Sequence, residues 1–275
     1  MNEPARIAAY VVTSILGLAG GDGGAQAPRL PSAPVPAYTV FASGLDGPRG
    51  LLFGHSGELY VAEQNGDTVA KIGPNGVVQR IAKGFSSPHD LTIDREGNLY
   101  VADSGHDRIA RISPNGQVTT YIDKVPTPVD LDFNPQGELL VCELYKGEVV
   151  SFKAGKVARV VASGLSWPHG LAFGKSGETY INENTGNRID RVDSGGKLQR
   201  FADVERPVGL AFGRSGDLYV AQPQVGKVSR VKPDGTRITL LEGLKQPRDP
   251  AFDAAGNLYF AETESGRILK LAGSF

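Results

Sequence analysis

Residues 88–127 read PHDLTIDREGNLYVADSGHDRIARISPNGQVTTYIDKVPT. Four short β-prone runs stand out: Asp90–Ile93, Asn98–Ala102, Arg108–Ile112 and Val118–Ile122. Each is rich in β-branched or aromatic residues and is bounded by turn residues. Arg95-Glu96-Gly97 and Pro114-Asn115-Gly116 supply turns in which glycine takes positive φ at little steric cost. Helical periodicity is absent from the stretch. Four strands in forty residues is the pattern of one β-propeller blade.

The same forty residues recur along the chain. Proline returns at 48, 88, 128, 168, 207 and 247, at intervals of 40, 40, 40, 39 and 40. Glycine follows nine positions later each time, from Gly57 to Gly256, and tyrosine twelve positions later in five of six units, Leu140 being the exception. Six units predict a six-bladed propeller over residues 38–275, all-β, with four-stranded blades. The last unit holds only three strands, Arg248–Phe252, Asn257–Ala261 and Arg267–Leu271. An orphan strand, Tyr38–Ala42, precedes the first unit and is predicted to complete the last blade. That closure would remove an open sheet edge.

Composition agrees. The chain has 36 glycines and 18 prolines in 275 residues, which suits a fold made of turns. Apolar residues at 40% suffice for a core. The net charge of −1 gives no electrostatic footprint for nucleic acid. A single cysteine, Cys142, excludes an intrachain disulfide and a cysteine-based zinc site. Cys142 is expected to be a small buried residue of a second strand.

The leader differs from the repeats. Arg6 precedes an apolar run, Ile7–Leu18, and Ala25-Gln26-Ala27 offers small residues for a signal peptidase. Residues 1–27 are therefore expected to be a signal peptide, making the protein periplasmic or secreted. The run is too short for a membrane span. Residues 28–37 are Pro-rich and read as a linker. A closed propeller buries its core without a partner, so a monomer is expected.

In a repeat protein the shared columns build the fold, and deviations are the better functional candidates. The two residues after each proline read Arg49-Gly50, His89-Asp90, Val129-Asp130, His169-Gly170, Val208-Gly209 and Arg248-Asp249. They feed the innermost strand and should converge on one mouth of the central channel. His89 and His169 occupy equivalent places two blades apart. Neutral imidazole suits zinc, and aspartate suits calcium or zinc. A divalent metal held by His89, His169 and one or more of Asp90, Asp130 and Asp249 is the expectation. Histidines that merely line a wet channel are the alternative.

The unit P-x-G-L-x-F-x-x-x-G-x-L-Y-V-A-E followed by R-I-x-R-I and P-N-G resembles the NHL-repeat family of six-bladed propellers. Related six-bladed enzymes are the gluconolactonase and senescence-marker-protein group and the peptidylglycine amidating lyase. Streptogramin lyase has similar repeats, such as GNRIDRVDSGGKLQRF at residues 186–201, but seven blades, and six periods count against that assignment. The amidating lyase binds zinc through histidines of alternate P-H loops, and a P-H-D aspartate contributes to a calcium site. Pro88-His89-Asp90 and Pro168-His169-Gly170 match that loop. Pro128-Val129-Asp130-Leu131 and Glu143-Leu144-Tyr145 fall where that enzyme has P-T-D-V and a tyrosine. Arg248 stands where its third histidine would be.

A further column, fifteen residues after each proline, reads Glu63, Asp103, Glu143, Glu183, Gln222 and Glu262. Pairs with Arg108, Arg188 and Arg267 make Asp103, Glu183 and Glu262 structural. Glu143 faces Glu148 instead and is expected to be unpaired and available beside Tyr145. The resulting expectation is an enzyme, a metal-dependent hydrolase or lyase acting on a small molecule. Tyr145, Glu143 and His169 are its candidate catalytic groups, and Arg49, Arg248 and Trp167 its substrate contacts. A non-catalytic module binding a peptide, sugar or protein is the alternative.

Overall fold

The computed structural model describes residues 37–275 apart from Ser194. The expected signal peptide, and all of the linker but Ala37, lie outside the described residues. Six four-stranded antiparallel sheets follow one another around a central channel. The second blade consists of Pro88–Ile93, Leu99–Asp103, Arg108–Ile112 and Val118–Asp123. These bounds agree with the sequence reading to within two residues. Among the described residues, no helix is long and apolar enough to cross a membrane.

The sixth blade closes as expected. Thr39–Ser43 forms its outer strand, pairing Thr39 with Lys270 and Ser43 with Arg267. Edge-to-face aromatics fix this junction. Tyr259 packs on Phe41 of its own blade at 5.1 Å and on Phe53 of the first blade at 4.9 Å. Tyr100 repeats the arrangement with Tyr121 and Phe133, and Tyr180 with Phe201 and Phe212. The tyrosine column thus rivets each of these blades to the next, in addition to the area it buries. The apolar clusters lie between neighbouring blades: Leu51, Leu59 and Val61 of the first pack with Ala251, Tyr259 and Ala261 of the sixth.

One irregularity positions the site. Pairing of the inner strand jumps between Pro48 and Leu51, Pro88 and Leu91, Pro168 and Leu171, and Pro247 and Pro250. In the third blade the jump falls between Pro128 and Asp130. In the fifth the inner strand begins only at Leu210. A bulge re-aims the residues it displaces. In the first, second, fourth and sixth blades it frees the two residues after the proline from the ladder, among them Arg49, His89, His169 and Arg248.

Candidate active site

The mouth ring brings together Arg49, His89, His169 and Arg248, each partly buried, with Val129 and Val208 buried between them. The two imidazoles stack across the channel, centroids 5.8 Å apart and planes within 19°. Arg49 Nη1 lies 3.4 Å from His89 Nδ1, and the Gln64 side-chain amide lies 3.3 Å from His89 Nε2. A guanidinium only donates, so Nδ1 must accept and Nε2 must carry the hydrogen. The Gln64 amide nitrogen stands 2.8 Å from the Ser87 hydroxyl oxygen, and exchanging the amide's nitrogen and oxygen lets the oxygen accept from both Nε2–H and that hydroxyl. His89 is therefore locked as one neutral tautomer.

His169 is held differently. Its backbone N–H donates to Asn182 Oδ1 at 3.1 Å, and the Asn182 amide donates to the Val208 carbonyl. Apart from a contact with its own backbone, its imidazole makes no hydrogen bond to another described residue. Burial, then Arg248 and Arg49, push the His169 pKa down to about 3. Burial, Arg49 and His169 hold His89 well below the usual histidine range. Both rings are neutral bases at physiological pH.

Among the described residues, neither Arg49 nor Arg248 has a carboxylate within salt-bridge distance, unlike Arg80, Arg108, Arg188, Arg230 and Arg267. The Nε atoms of Arg49 and Arg248 are buried without a hydrogen-bond partner. Burial, and then its neighbour Arg248, lower the Arg49 pKa to about 9. Two clefts open beside them on the mouth face. One of about 600 Å³ reaches Arg248 between the fifth and sixth blades. Another of about 450 Å³ reaches Arg49 between the sixth and first.

One residue deeper lie Asp90, Asp130 and Asp249, at the head of a channel cavity of about 100 Å³. Asp90 fits because its neighbour is Gly50: a Cβ there would sit 2.5 Å from Asp90 Oδ1. Gly209 makes the same room for Asp249, whose Cα would be 2.6 Å from an added Cβ. Burial, and then mutual repulsion, push Asp90 and Asp130 well above the usual carboxylate range. Burial raises Asp249 to about 6 against the pull of Arg248 and Arg49.

The five residues expected to share a divalent metal do not form one ligand set. Among the described residues no three His, Cys, Asp or Glu side chains converge as metal ligands. The stacked imidazoles point their lone pairs in near-parallel planes, and His89 already binds Arg49. Two guanidiniums in the same ring, neither in salt-bridge contact with a described carboxylate, repel a cation. The donor set does not fit a divalent metal at the mouth.

Tyr145 and Trp167 stand together on the rim over the third and fourth blades, edge to face at 6.0 Å. They are 71% and 47% exposed. Glu143 is buried beneath them, and Lys146 Nζ lies 2.9 Å from its Oε2. It is thus paired with a cation of its own loop, where the sequence suggested none. The rest of the acid column is structural as expected: Asp103 binds Arg108 at 2.7 Å, and Glu183 and Glu262 bind Arg188 and Arg267. Cys142 is fully buried, and burial raises its thiol pKa well above the usual value.

Sequence reasoning missed Gln64 and Asn182. Asn182 had a readable signal, being the one amide in a column of Ala62, Ala102, Cys142, Ala221 and Ala261. Gln64 had none, because its column is Ser104, Leu144, Asn184, Pro223 and Thr263.

No curated protein matches the chain in sequence. Solved structures share its fold. Virginiamycin B lyase from Staphylococcus aureus is 20% identical over 82% of this chain and 81% of that one, with a TM-score of 0.67. A gluconolactonase from Xanthomonas campestris is 17% identical over 84% and 87%, with a TM-score of 0.73. A calcium-binding protein, regucalcin, from Agrobacterium tumefaciens is 19% identical over 86% and 94%, with a TM-score of 0.74. The family model described as the virginiamycin B lyase family matches residues 35–274. The count of six blades, which weighed against the streptogramin lyases, does not separate the chain from them: it belongs to the virginiamycin B lyase family.

Proposed function

We propose that this protein is an enzyme of lyase or lactonase type, acting on an ester-bearing small molecule seated over the channel mouth. The observation that carries the reading is His169: a neutral imidazole with no hydrogen bond to the side chain of any other described residue, fixed through its backbone by the buried Asn182. Elimination from an ester needs a base to take the proton α to a carbonyl. Lactone hydrolysis needs a base to take a proton from water. His169 is unprotonated over the whole physiological range and so open to accept a proton in either role, although a pKa of about 3 makes it a weaker base than an ordinary histidine. Both reactions place negative charge on a carbonyl oxygen, and Arg49 or Arg248 can stabilise it in a partly water-excluded ring. His89, held by Arg49 and Gln64, orients that guanidinium rather than moving a proton.

Family membership and the lyase and gluconolactonase relatives support this reading. So does a catalytically inactive histidine-to-alanine form of the S. aureus lyase, solved with quinupristin. A metal-dependent version, with zinc or calcium, would draw on the calcium-binding relative, but the donors at the mouth do not fit it.

The test is turnover on a panel of lactones and cyclic depsipeptide esters, followed by mass spectrometry. Hydrolysis adds water to the product, whereas elimination leaves its mass unchanged. His169→Asn is expected to lower kcat/KM by about 10²–10⁴ on any accepted substrate. Full activity in His169→Asn would refute the role of His169, and no turnover on any ester would refute the enzyme.

A further inference from the structure

The mouth is polar in its layout. Arg248 and Arg49 belong to the sixth and first blades, with both clefts beside them. The third and fourth blades, opposite across the axis, carry Tyr145 and Trp167. The imidazoles of the second and fourth blades lie between.

Each end has a feature the fold does not require. Arg108, Arg188 and Arg267 each neutralise a buried acid, but Arg49 and Arg248 have none in salt-bridge contact among the described residues and leave buried Nε atoms without partners. A guanidinium pair in that state matches a planar or tetrahedral anion. At the other end, the residue before each blade's proline takes positive φ. Five blades fill that place with Gly47, Ser87, Thr127, Arg206 and Gln246; the fourth uses Trp167 at φ 58°. The positive φ thus belongs to the repeat; what sets the fourth blade apart is an aromatic side chain, where the other five have none. Trp167 and its edge-to-face partner Tyr145 remain largely exposed, presenting ring surface rather than burying it.

We propose that the ligand of this mouth is an organic anion bearing an aromatic or other flat apolar ring, its anionic group on Arg49 and Arg248 and its ring on Trp167 and Tyr145. This deepens the lyase or lactonase reading, on which it rests, by naming a substrate class and an orientation. A molecule so placed spans the channel axis and passes over His169.

Binding tests the proposal without turnover. Phenylacetate, phenylacetamide and acetate are titrated into the full chain by calorimetry. Phenylacetate is expected to bind at least about tenfold more tightly than either of the others, the ordinary effect of one charge-assisted contact or one stacked ring. Arg248→Gln should abolish the preference for the acid over the amide, and Arg248→Lys should retain part of it. Trp167→Ser should abolish the preference for phenylacetate over acetate while keeping the preference for acid over amide. Circular dichroism confirms that each variant is folded. Equal affinity for acid and amide would overturn the proposal. So would an acid preference that survives Arg248→Gln combined with Arg49→Gln, a ring preference that survives Trp167→Ser, or no binding of any probe. None of these results bears on the His169→Asn turnover test, so the two readings fail separately.

Discussion

Glu143 lacks the hydrogen bond its counterparts make because Pro126 stands where their donor does. Glu63 accepts from the backbone N–H of Asp46, Asp103 from Ser86, Glu183 from Ser166 and Glu262 from Lys245, each donor two residues before the blade's proline. In the third blade that position is Pro126, which has no N–H. Glu143 is left with Lys146, and its Oε2 makes no well-directed hydrogen bond. Pro126→Ser restores the donor. A hydrogen bond to a buried charge is worth about 1.5–3 kcal/mol, and losing proline's restriction of the unfolded chain costs about 0.4–1 kcal/mol. A net gain of about 1 kcal/mol is expected in urea unfolding. Lys146→Ala should then cost less in the Pro126→Ser background than in the natural chain.

The closing blade gives a second prediction. Tyr259 is buried between Phe41 and Phe53 and joins the first blade to the last. Tyr259→Ala removes both contacts and leaves a cavity, so a loss of about 3–5 kcal/mol is expected. Tyr60→Ala, in the same column but only partly buried, should cost less. Equal losses would mean that the closing junction is no tighter than the others.

The fold was legible because every level of the repeat agreed: proline spacing, turn glycines, and a last unit short of one strand. Glu143 shows where such reading stops. Its missing arginine was visible in the sequence; its missing amide was visible only once the other blades showed which backbone N–H the acid column binds. The ring of Arg49, His89, His169 and Arg248 was found because those residues break their column. Their chemistry was harder to read. Histidine with aspartate suggested a metal, but the strand bulge sets the aspartates one layer deeper and stacks the imidazoles. Side-chain direction at a bulge is set by three-dimensional pairing, not by residue type.

The charge of the ring leads to a prediction about metals. A cation entering the mouth would meet Arg49 and Arg248 with no carboxylate in salt-bridge contact with either among the described residues. Chelation, or addition of zinc or calcium at about 100 μM, is therefore expected to shift Tm by less than about 1 °C, as a ligand stabilises only in proportion to its occupancy of the folded state. A rise of several degrees that His89→Ala removes would reinstate a metal at this site.

The same ring sets the response of stability to pH. His89 and His169 have folded pKa values depressed below the unfolded value of about 6.5, His169 to about 3. As pH falls below about 6.5 the unfolded chain takes up protons that the folded chain refuses, so each histidine lowers stability by about 1.4 kcal/mol per pH unit. The buried carboxyls act in the opposite sense. Asp249 is raised from 3.8 to about 6, and Asp90 and Asp130 are raised well above the usual range, so the folded chain binds protons first as pH falls. Their stabilising effect is fully present below the unfolded pKa and is lost as pH rises through the folded values. Between about pH 6 and pH 4 the two groups offset one another in the natural protein. Replacing both histidines with glutamine leaves only the carboxyls. The Tm of His89→Gln/His169→Gln relative to the natural chain is therefore expected to rise steadily from about pH 6.5 to pH 4. Asp249→Asn should change in the reverse direction over the same range. Parallel pH profiles for all three proteins would show that the ring histidines titrate as exposed ones do, and His169 would lose its standing as a base that remains neutral in acid.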